Sequence, residues 1–206
     1  MKINPKFYNN LNLSLDKIIN LIATAVKDRK SPFHTPLLST VDKSNKPNSR
    51  TVVLRQFFRK EWVILVHSDI RSKKITEIKR NKNICIVFYD EQEKIQLRLS
   101  GQARIEKNYN NAWERLSTWS RRCYLSDLKP GSNSNIYHSG FNKKYSKNAP
   151  SFEDSEKGKE NFCCILCKID RIEWLYLSSV GHRRAEFKIK REQNDMIKIS
   201  KQWIIP

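Results

Sequence analysis

The sequence is poor in glycine and has no long apolar run. It has five glycines among 206 residues, and none forms the G-x-G-x-x-G or P-loop pattern that binds nucleotide phosphates. A Rossmann-type dinucleotide site or a nucleotide triphosphatase is therefore not expected. No apolar stretch approaches the roughly 18 residues of a membrane-spanning helix, and the N-terminus lacks an apolar segment followed by a small-residue cleavage site. We therefore expect a cytoplasmic protein with no membrane partner.

Cysteine and histidine give no sign of a disulfide framework or a metal site. The cysteine count is five, an odd number, and three of them crowd together at Cys163, Cys164 and Cys167. Residues three apart in a strand point to opposite faces, so Cys164 and Cys167 would not converge. Neither a helix N-terminus nor a second ligand pair accompanies them, as redox or zinc chemistry would need. We expect cysteines buried in a strand and no metal.

Acidic residues are scarce relative to basic ones. The chain has 40 Lys and Arg against 21 Asp and Glu, which gives a formal charge of +19 and a pI near 9.9. Such a charge attracts polyanions, including nucleic acid, anionic lipid and phosphorylated small molecules. The abundance of Lys, Asn and Ile is equally typical of A/T-rich coding, in which case much of the lysine is solvated surface without a partner. Charge alone therefore assigns no function.

Hydrophobic spacing predicts a mainly β chain with helices, of the α+β class. Helical spacing from Leu15 to Val26 predicts a first helix with Ser14 as its N-cap. Further helices are predicted over 72–81 and about 110–120. The predicted strands are 35–41, 50–57, 61–67, 84–89, 95–105, 162–169, 171–177, 185–190 and 196–203. Many short strands with few helices favour one antiparallel barrel domain over residues 1–206. The polar segment 131–161 is predicted to be a long mobile loop within that domain.

Basic and polar residues stand at the ends of several predicted strands. Arg50 and Arg55 flank one apolar strand, and Ser68 precedes Lys73 and Lys74 at the start of a helix. A helix N-terminus has free N–H groups and a partial positive charge, so these residues suit a phosphate dianion. Gln96 lies in an otherwise apolar strand, where a buried amide needs a hydrogen-bonding partner such as the edge of a heterocycle. Taken singly, each of these residues is explained better by solvent exposure.

The order of these basic and polar residues along the chain is more informative than any one of the residues. The ordered segments are Arg50-Thr-Val-Val-Leu-Arg55, Ser68 with Ser72-Lys73-Lys74, residues 81–89, and Gln96-Leu-Arg-Leu-Ser-Gly101. This series resembles the pyridoxamine 5′-phosphate oxidase superfamily, whose fold is an FMN-binding split β-barrel. Later segments, from Trp113 to the terminal Trp203-Ile-Ile-Pro206, are similar to its Alr4036-type branch. The resemblance spans residues 33 to 206.

The resemblance implies a homodimer with FMN held at the interface between the subunits. The cofactor-binding positions that it implies are Arg50, Thr51, Val52, Val53, Leu54, Arg55, Ser68, Lys73, Lys74, Gln96 and Arg184. In this pattern Ser68, Lys73 and Lys74 hold the ribityl phosphate, Gln96 bonds the flavin ring, and Arg184 is the C-terminal arginine that reaches the cofactor. The catalytic residues stay unassigned.

Departures from the family pattern concern the substrate. The Arg-Leu-His triplet that holds the vitamin B6 substrate in the true oxidases corresponds here to Val180-Gly181-His182, so only the histidine is kept. Arg55 stands where the family has a lysine, and it is implied together with His182 as substrate-binding. The family's phosphate clamp has no clear match, although Arg121, Arg122 and Tyr124 are candidates for it.

Three functions follow as hypotheses. The first is an FMN-dependent oxidoreductase of vitamin B6 metabolism that acts on a small phosphorylated substrate such as pyridoxamine or pyridoxine 5′-phosphate. The second is a split-barrel protein that binds flavin or haem for a different reduction or as a carrier. The third, and the least favoured, is a basic module that binds nucleic acid and would be colourless. Replacing Lys73 and Lys74 by Glu is expected to remove FMN, because the reversed charge repels its phosphate.

Overall fold

The structure is a computed structural model that describes residues 4–141, 143–192 and 196–206. Its strands are β1 (Leu37–Val41), β2 (Pro47–Thr51), β3 (Leu54–Phe58), β4 (Val63–Asp69), β5 (Asn83–Asp90), β6 (Ile95–Glu106), β7 (Phe162–Tyr176), β8 (Arg183–Arg191) and β9 (Ile197–Ile204). Its helices are α1 (Leu11–Lys27), α2 (Lys73–Arg80), α3 (Thr118–Arg121) and α4 (Phe152–Glu156). In these ranges no helix is long and apolar enough to cross a membrane.

The strands form one antiparallel sheet that curls into a barrel. Along the sheet the order is β2-β1-β5-β6-β7-β4-β3. The two strands at the ends of this order, β2 and β3, are consecutive in the chain and separated only by Val52 and Val53. Because two residues span only about 7 Å, the opposite edges of the sheet must come together there. The prediction of one strand over 50–57 is therefore wrong. These residues belong to two strands, β2 and β3, and the chain crosses between the sheet edges at Val52 and Val53.

The long strand β7 divides the sheet. One of its edges pairs with β6 over most of its length, while the other edge pairs first with β4 and then with β8. The two predicted strands over 162–177 are thus one strand, with a register shift opposite Ser100 and Gly101. This branching at β7 is a split barrel, so the α+β, antiparallel split-barrel fold expected from the sequence is confirmed.

Alternating side chains of β7 serve two separate cores. Cys163, Ile165 and Cys167 face the main core inside the barrel, whereas Cys164 and Leu166 face a smaller cluster that includes Trp113. The expectation that Cys164 and Cys167 point to opposite faces is therefore confirmed. Burial raises the pKa of Cys163 and Cys167 to about 12 and that of Cys164 to about 11. These thiols are packed, unreactive core groups.

Helix α1 packs its apolar stripe into the main core, but its start differs from the prediction. Asn10 is the N-cap, and its side chain accepts hydrogen bonds from the backbone N–H groups of Asn12 and Leu13. Ser14 lies inside the helix and donates to the carbonyls of Phe7 and Asn10. The helix therefore starts at Leu11, one turn earlier than predicted, because Asn10 and not Ser14 supplies its cap.

Outside the barrel, the helix predicted over 110–120 is wrong. No continuous helix covers 110–120; a 3₁₀ turn (Tyr109–Asn111), inside which Asn110 has a positive φ of 49°, is followed by the short α3. In the segment 131–161 the described residues include α4 and two 3₁₀ turns, so the segment is not structureless. Residue 142 lies outside the described residues. Whether the segment moves stays a prediction.

Candidate functional site

Ser68, Ser72 and Lys74 converge where β4 ends and α2 begins. The Lys74 Nζ donates to the hydroxyls of Ser68 and Ser72, both at 3.2 Å, and the two hydroxyls lie 3.1 Å apart. Ser72 is the N-cap of α2, yet its side chain makes no capping bond. Burial, with a smaller contribution from Arg50, lowers the pKa of Lys74. The cluster is a partly buried cation between two hydroxyls at a helix N-terminus, which suits an oxyanion.

Lys73, the neighbouring predicted residue, is exposed and does not join this cluster. A methyl group placed on Gly131 would come within 3.9 Å of the Lys73 Cε, so the start of the segment 131–161 lies beside this lysine. The long segment therefore passes near the start of α2.

Arg50 is held beside the cluster by a buried carboxylate that the sequence did not single out. Its guanidinium bonds to Glu77 of α2 at 3.0 Å and to the hydroxyl and carbonyl of β1 residues Thr40 and Leu38. Asn48 also donates to Glu77, at 2.7 Å. Burial opposes ionisation of Glu77, but the hydrogen bonds from Thr40, Asn48 and Arg50 lower its pKa overall. Arg50 is thus fixed on α2, the helix that carries Lys74.

The rest of the predicted 50–55 motif forms the crossover between the sheet edges. Val52 and Leu54 are buried in the main core, while Thr51 is exposed. The Val52 N–H donates to the Pro36 carbonyl at 2.9 Å. The crossover therefore separates Arg50 and Arg55, which belong to different surroundings.

Arg55 lines a small cavity with His67 and Arg115. The cavity has a volume of about 170 Å³, and its wall also includes Leu65, Ala112 and Leu116. The Nδ1 atom of His67 is buried and has no hydrogen-bond partner among the described residues. Burial, followed by the charges of Arg55 and Arg115, lowers the pKa of His67 to about 4.

Neither arginine of this cavity has a carboxylate partner in the described part of the chain. Two unpaired guanidinium groups and an unsatisfied histidine nitrogen suit an anion that carries a proton or several oxygens. The sequence pointed to Arg55 alone. His67 and Arg115 were missed because nothing in their local pattern shows that they meet.

Gln96 and Arg184 lie together on the outer face of the barrel. Gln96 pairs with Leu175, which pairs with Arg184 in the next strand, so the two side chains share a face two strands apart. Arg184 donates to Glu173 at 2.7 Å. Ser68 lies on the barrel wall facing the main core, beside Cys163. No hydrogen bond or ion pair found in the described ranges joins the Gln96 face to the Lys74 cluster.

His182 lies in another cavity, of about 280 Å³, with Arg184 and the C-terminal Trp203 and Pro206. Its Nδ1 accepts from the backbone N–H of Ser178 at 3.0 Å, and its side chain is exposed. The two residues implied as substrate-binding, Arg55 and His182, therefore line different cavities of one chain.

The three candidates for a phosphate clamp have structural roles. Arg121 is buried, bonds to Glu156 and Ser155, and stacks on Trp113. Arg122 stacks on Trp119 and Phe141. Tyr124 packs against Trp113 and Phe162, and burial raises its pKa. All three hold 109–161 on the barrel instead of pointing into the Arg55 cavity.

Part of the chain matches the model of a known domain. The model of the pyridoxamine 5′-phosphate oxidase FMN-binding domain matches residues 16–107, which include the crossover, the Lys74 cluster and Gln96. The matched residues, somewhat less than half of the chain, are similar to the FMN-binding domain of this family. No finding tests the assignment to the Alr4036-type branch, which stays a prediction.

Two proteins similar to this chain are named as oxidases. The pyridoxine/pyridoxamine 5′-phosphate oxidase 2 of Arabidopsis thaliana is 27% identical over 154 residues, which cover 69% of this chain and 73% of that protein. The pyridoxine/pyridoxamine 5′-phosphate oxidase of Leptospira interrogans is 30% identical over 77 residues, which cover 37% of this chain and 35% of that protein. The match thus spans only about a third of the Leptospira relative.

Two solved structures share the fold over nearly the whole chain. A pyridoxamine 5′-phosphate oxidase-related FMN-binding protein of Nostoc punctiforme superposes with a TM-score of 0.69 at 20% identity, covering 92% of this chain and 96% of that chain. PhzG of Burkholderia lata, solved with tetrahydrophenazine-1-carboxylic acid, gives 0.69 at 15% identity and covers 100% and 99%. At these identities the likeness concerns the fold alone.

Proposed function

We propose that this chain binds FMN and acts as an FMN-dependent oxidoreductase on a small phosphorylated substrate. The observation that carries the proposal is the partly buried Lys74 ammonium, whose hydrogen bonds in the described structure go only to Ser68 and Ser72. A cation removed from water needs a counter-charge. The phosphate of FMN supplies it, and the helix N-terminus adds N–H groups for the same oxygens.

The proposed binding mode divides the cofactor between two parts of the protein. Ser68, Ser72 and Lys74 hold the phosphate, with the positive charge of Arg50 nearby, while Gln96 and Arg184 offer an amide and a guanidinium to the ring. The Lys74 cluster and the pair Gln96 and Arg184 occupy different faces of one chain. We therefore propose a homodimer in which the outer face of one subunit meets the Lys74 cluster of its partner. The flavin, when bound, accepts electrons from the substrate.

The Arg55 cavity is the proposed site for the phosphate of the substrate. Arg55 and Arg115 supply two charges, and the neutral His67 can accept a hydrogen bond from a monoprotonated phosphate or donate one to its dianion. The cavity walls of Leu65, Ala112 and Leu116 exclude water on one side. These residues hold and orient the substrate, and the redox step belongs to the flavin.

Purification followed by an absorbance scan tests the proposal. We expect a yellow protein with flavin bands, or a colourless one that turns yellow when FMN is added. A red protein with a Soret band would favour the haem alternative, and a colourless one that binds nucleic acid would favour the third hypothesis. A turnover assay should then oxidise pyridoxamine 5′-phosphate far faster than unphosphorylated pyridoxamine. Equal rates on both would contradict the phosphate role of the Arg55 cavity.

A further inference from the structure

A groove separate from the proposed flavin site lies between the C-terminal half of α2 and the end of β6. Its volume is about 370 Å³, within the range of small-molecule sites. Its lining residues are Ile70, Ile78, Lys79, Lys82, Ala103, Arg104, Ile105 and Lys107. The groove lies at the opposite end of α2 from Lys74.

The composition of this lining is unusual, because every residue in it is either aliphatic or cationic. Ile78 and Ala103 are buried in the main core, and the partly buried Ile70 and Ile105 pack against it, so the floor is apolar and rigid. The Ala103 N–H donates to the Lys82 carbonyl at 2.8 Å, which fixes the turn after α2 on β6. The floor is therefore a preformed apolar surface.

The rim of the groove carries unbalanced positive charge. Arg104 is ion-paired with Glu106 at 2.6 Å. Lys79, Lys82 and Lys107 are exposed, and within the described residues none of them has a carboxylate partner. Among the described residues, no acidic side chain lines the groove. The groove therefore favours a ligand with a negative head and an aliphatic body.

We propose that this groove binds a free single-chain anionic amphiphile, such as a medium-chain fatty-acid carboxylate. The aliphatic chain lies on Ile70, Ile78, Ala103 and Ile105, and its head group contacts the lysines of the rim. Nucleic acid fits less well, since no aromatic side chain lines the groove for base stacking. A membrane surface fits less well too, because the apolar surface is a recess instead of a projecting patch.

Calorimetric titration of the FMN-saturated protein with octanoate tests the proposal. We expect saturable binding of one octanoate per chain, and at least tenfold weaker binding of the uncharged 1-octanol. Hexanoate should bind more weakly than octanoate, by roughly two- to fourfold for each CH₂ removed, because a fully buried CH₂ contributes about fourfold. Added salt should weaken the binding, since the rim charges are exposed.

Matched charge reversals locate the site. Lys79→Glu combined with Lys107→Glu should weaken octanoate binding at least tenfold. Lys30→Glu combined with Lys60→Glu changes the net charge equally, at exposed lysines outside the groove, and should change the affinity less than twofold. Lys74→Glu should remove FMN and leave octanoate binding intact, so the two proposals fail independently.

Three outcomes would overturn the proposal. They are equal binding of octanoate and 1-octanol, equal loss of affinity in both double variants, and no saturable octanoate binding at all. Capture of the protein by vesicles of anionic phospholipid without binding of free octanoate would assign the groove to a membrane surface and would also contradict it.

Discussion

At the scale of single residues, the proposed site depends on cations that have no carboxylate partner among the described residues: the partly buried Lys74 and the exposed Arg55 and Arg115. Lys74 meets two serine hydroxyls, and Arg55 and Arg115 face a neutral histidine. By contrast, Arg50 and Arg121 are neutralised by Glu77 and Glu156. The unpaired cations are the ones that need an anionic ligand.

His67 should make the stability of the protein depend on pH. Its pKa is about 4 in the folded state, below the ordinary value of 6.5, because burial and the two arginines disfavour its charged form. The unfolded chain therefore binds more protons between these values, so this contribution is complete above pH 6.5 and is lost as the pH falls toward 4. Between pH 7.5 and pH 5 the loss is about 2 kcal/mol.

Urea denaturation of the protein and of His67→Gln at both pH values measures this effect. The free energy of unfolding of the natural sequence should fall by about 2 kcal/mol more than that of the variant. Equal losses in the two proteins would show that His67 is not buried in a positively charged cavity.

The sequence could predict Ser68 and Lys74 because they lie within seven residues of one another at a recognisable helix start. It could not predict the contacts of Glu77 with Arg50, or of Arg115 with His67. These pairs join residues 27 and 48 positions apart, and no local periodicity encodes such a meeting. The electrostatic interaction within each pair arises only when folding brings its two residues together.

At the scale of elements, the closest packing around the split in the sheet is at Gly101 in β6. A methyl group on this residue would lie 2.0 Å from the carbonyl oxygen of Lys168 and 2.9 Å from the Cα of Ile169. These are backbone atoms that cannot rotate away. The register shift between β6 and β7 occurs at this point, so the close approach of the two strands requires a residue without a side chain.

Gly101→Ala should therefore destabilise the protein by about 3 kcal/mol, because the strands must separate to accept the methyl group. The neighbouring Ser100→Ala is the matched control, since Ser100 points away from the core and should change stability by less than about 0.5 kcal/mol. Thermal or urea unfolding provides the comparison. A Gly101→Ala protein as stable as the control would contradict the strand register described here.

Most strands could be predicted because β propensity and alternating burial agree along them. The failures occur where neighbouring residues belong to different surroundings. The run 50–57 is continuous in propensity, but its chain passes from one sheet edge to the other. The prediction of a helix over 110–120 is wrong because Trp113 packs in the second core instead of lying on the apolar face of an amphipathic helix. Tertiary packing decides both cases.

At the scale of the whole molecule, the proposed cofactor site is complete only when two subunits combine. Gln96 and Arg184 lie on the outer face, which also exposes Leu37 and Tyr89. Apolar side chains on such a face favour a self-association surface. Each subunit would then contribute the outer half of one site and the Lys74 half of the other.

Mixing two defective variants tests this arrangement. Lys74→Glu damages one half of the site, and Gln96→Ala with Arg184→Ala damages the other half. After the two proteins are refolded together, half of the dimers are mixed and have one intact site, so about a quarter of the FMN binding should return. The control mixture, Lys74→Glu with Ser72→Glu, has both lesions in the same half and should recover none. Absence of recovery in the first mixture would contradict the shared site.

The central claim is that Lys74 neutralises the phosphate of FMN, and a fluorescence titration of cofactor-free protein with FMN tests it most directly. The natural sequence should bind FMN saturably. Lys74→Glu should weaken binding at least about thirtyfold, because the charged partner of the phosphate is replaced by a repelling one. Lys79→Glu on the same helix removes the same net charge and should bind FMN as the natural sequence does. Equal affinity in all three proteins, or no FMN binding by the natural sequence, would contradict the account.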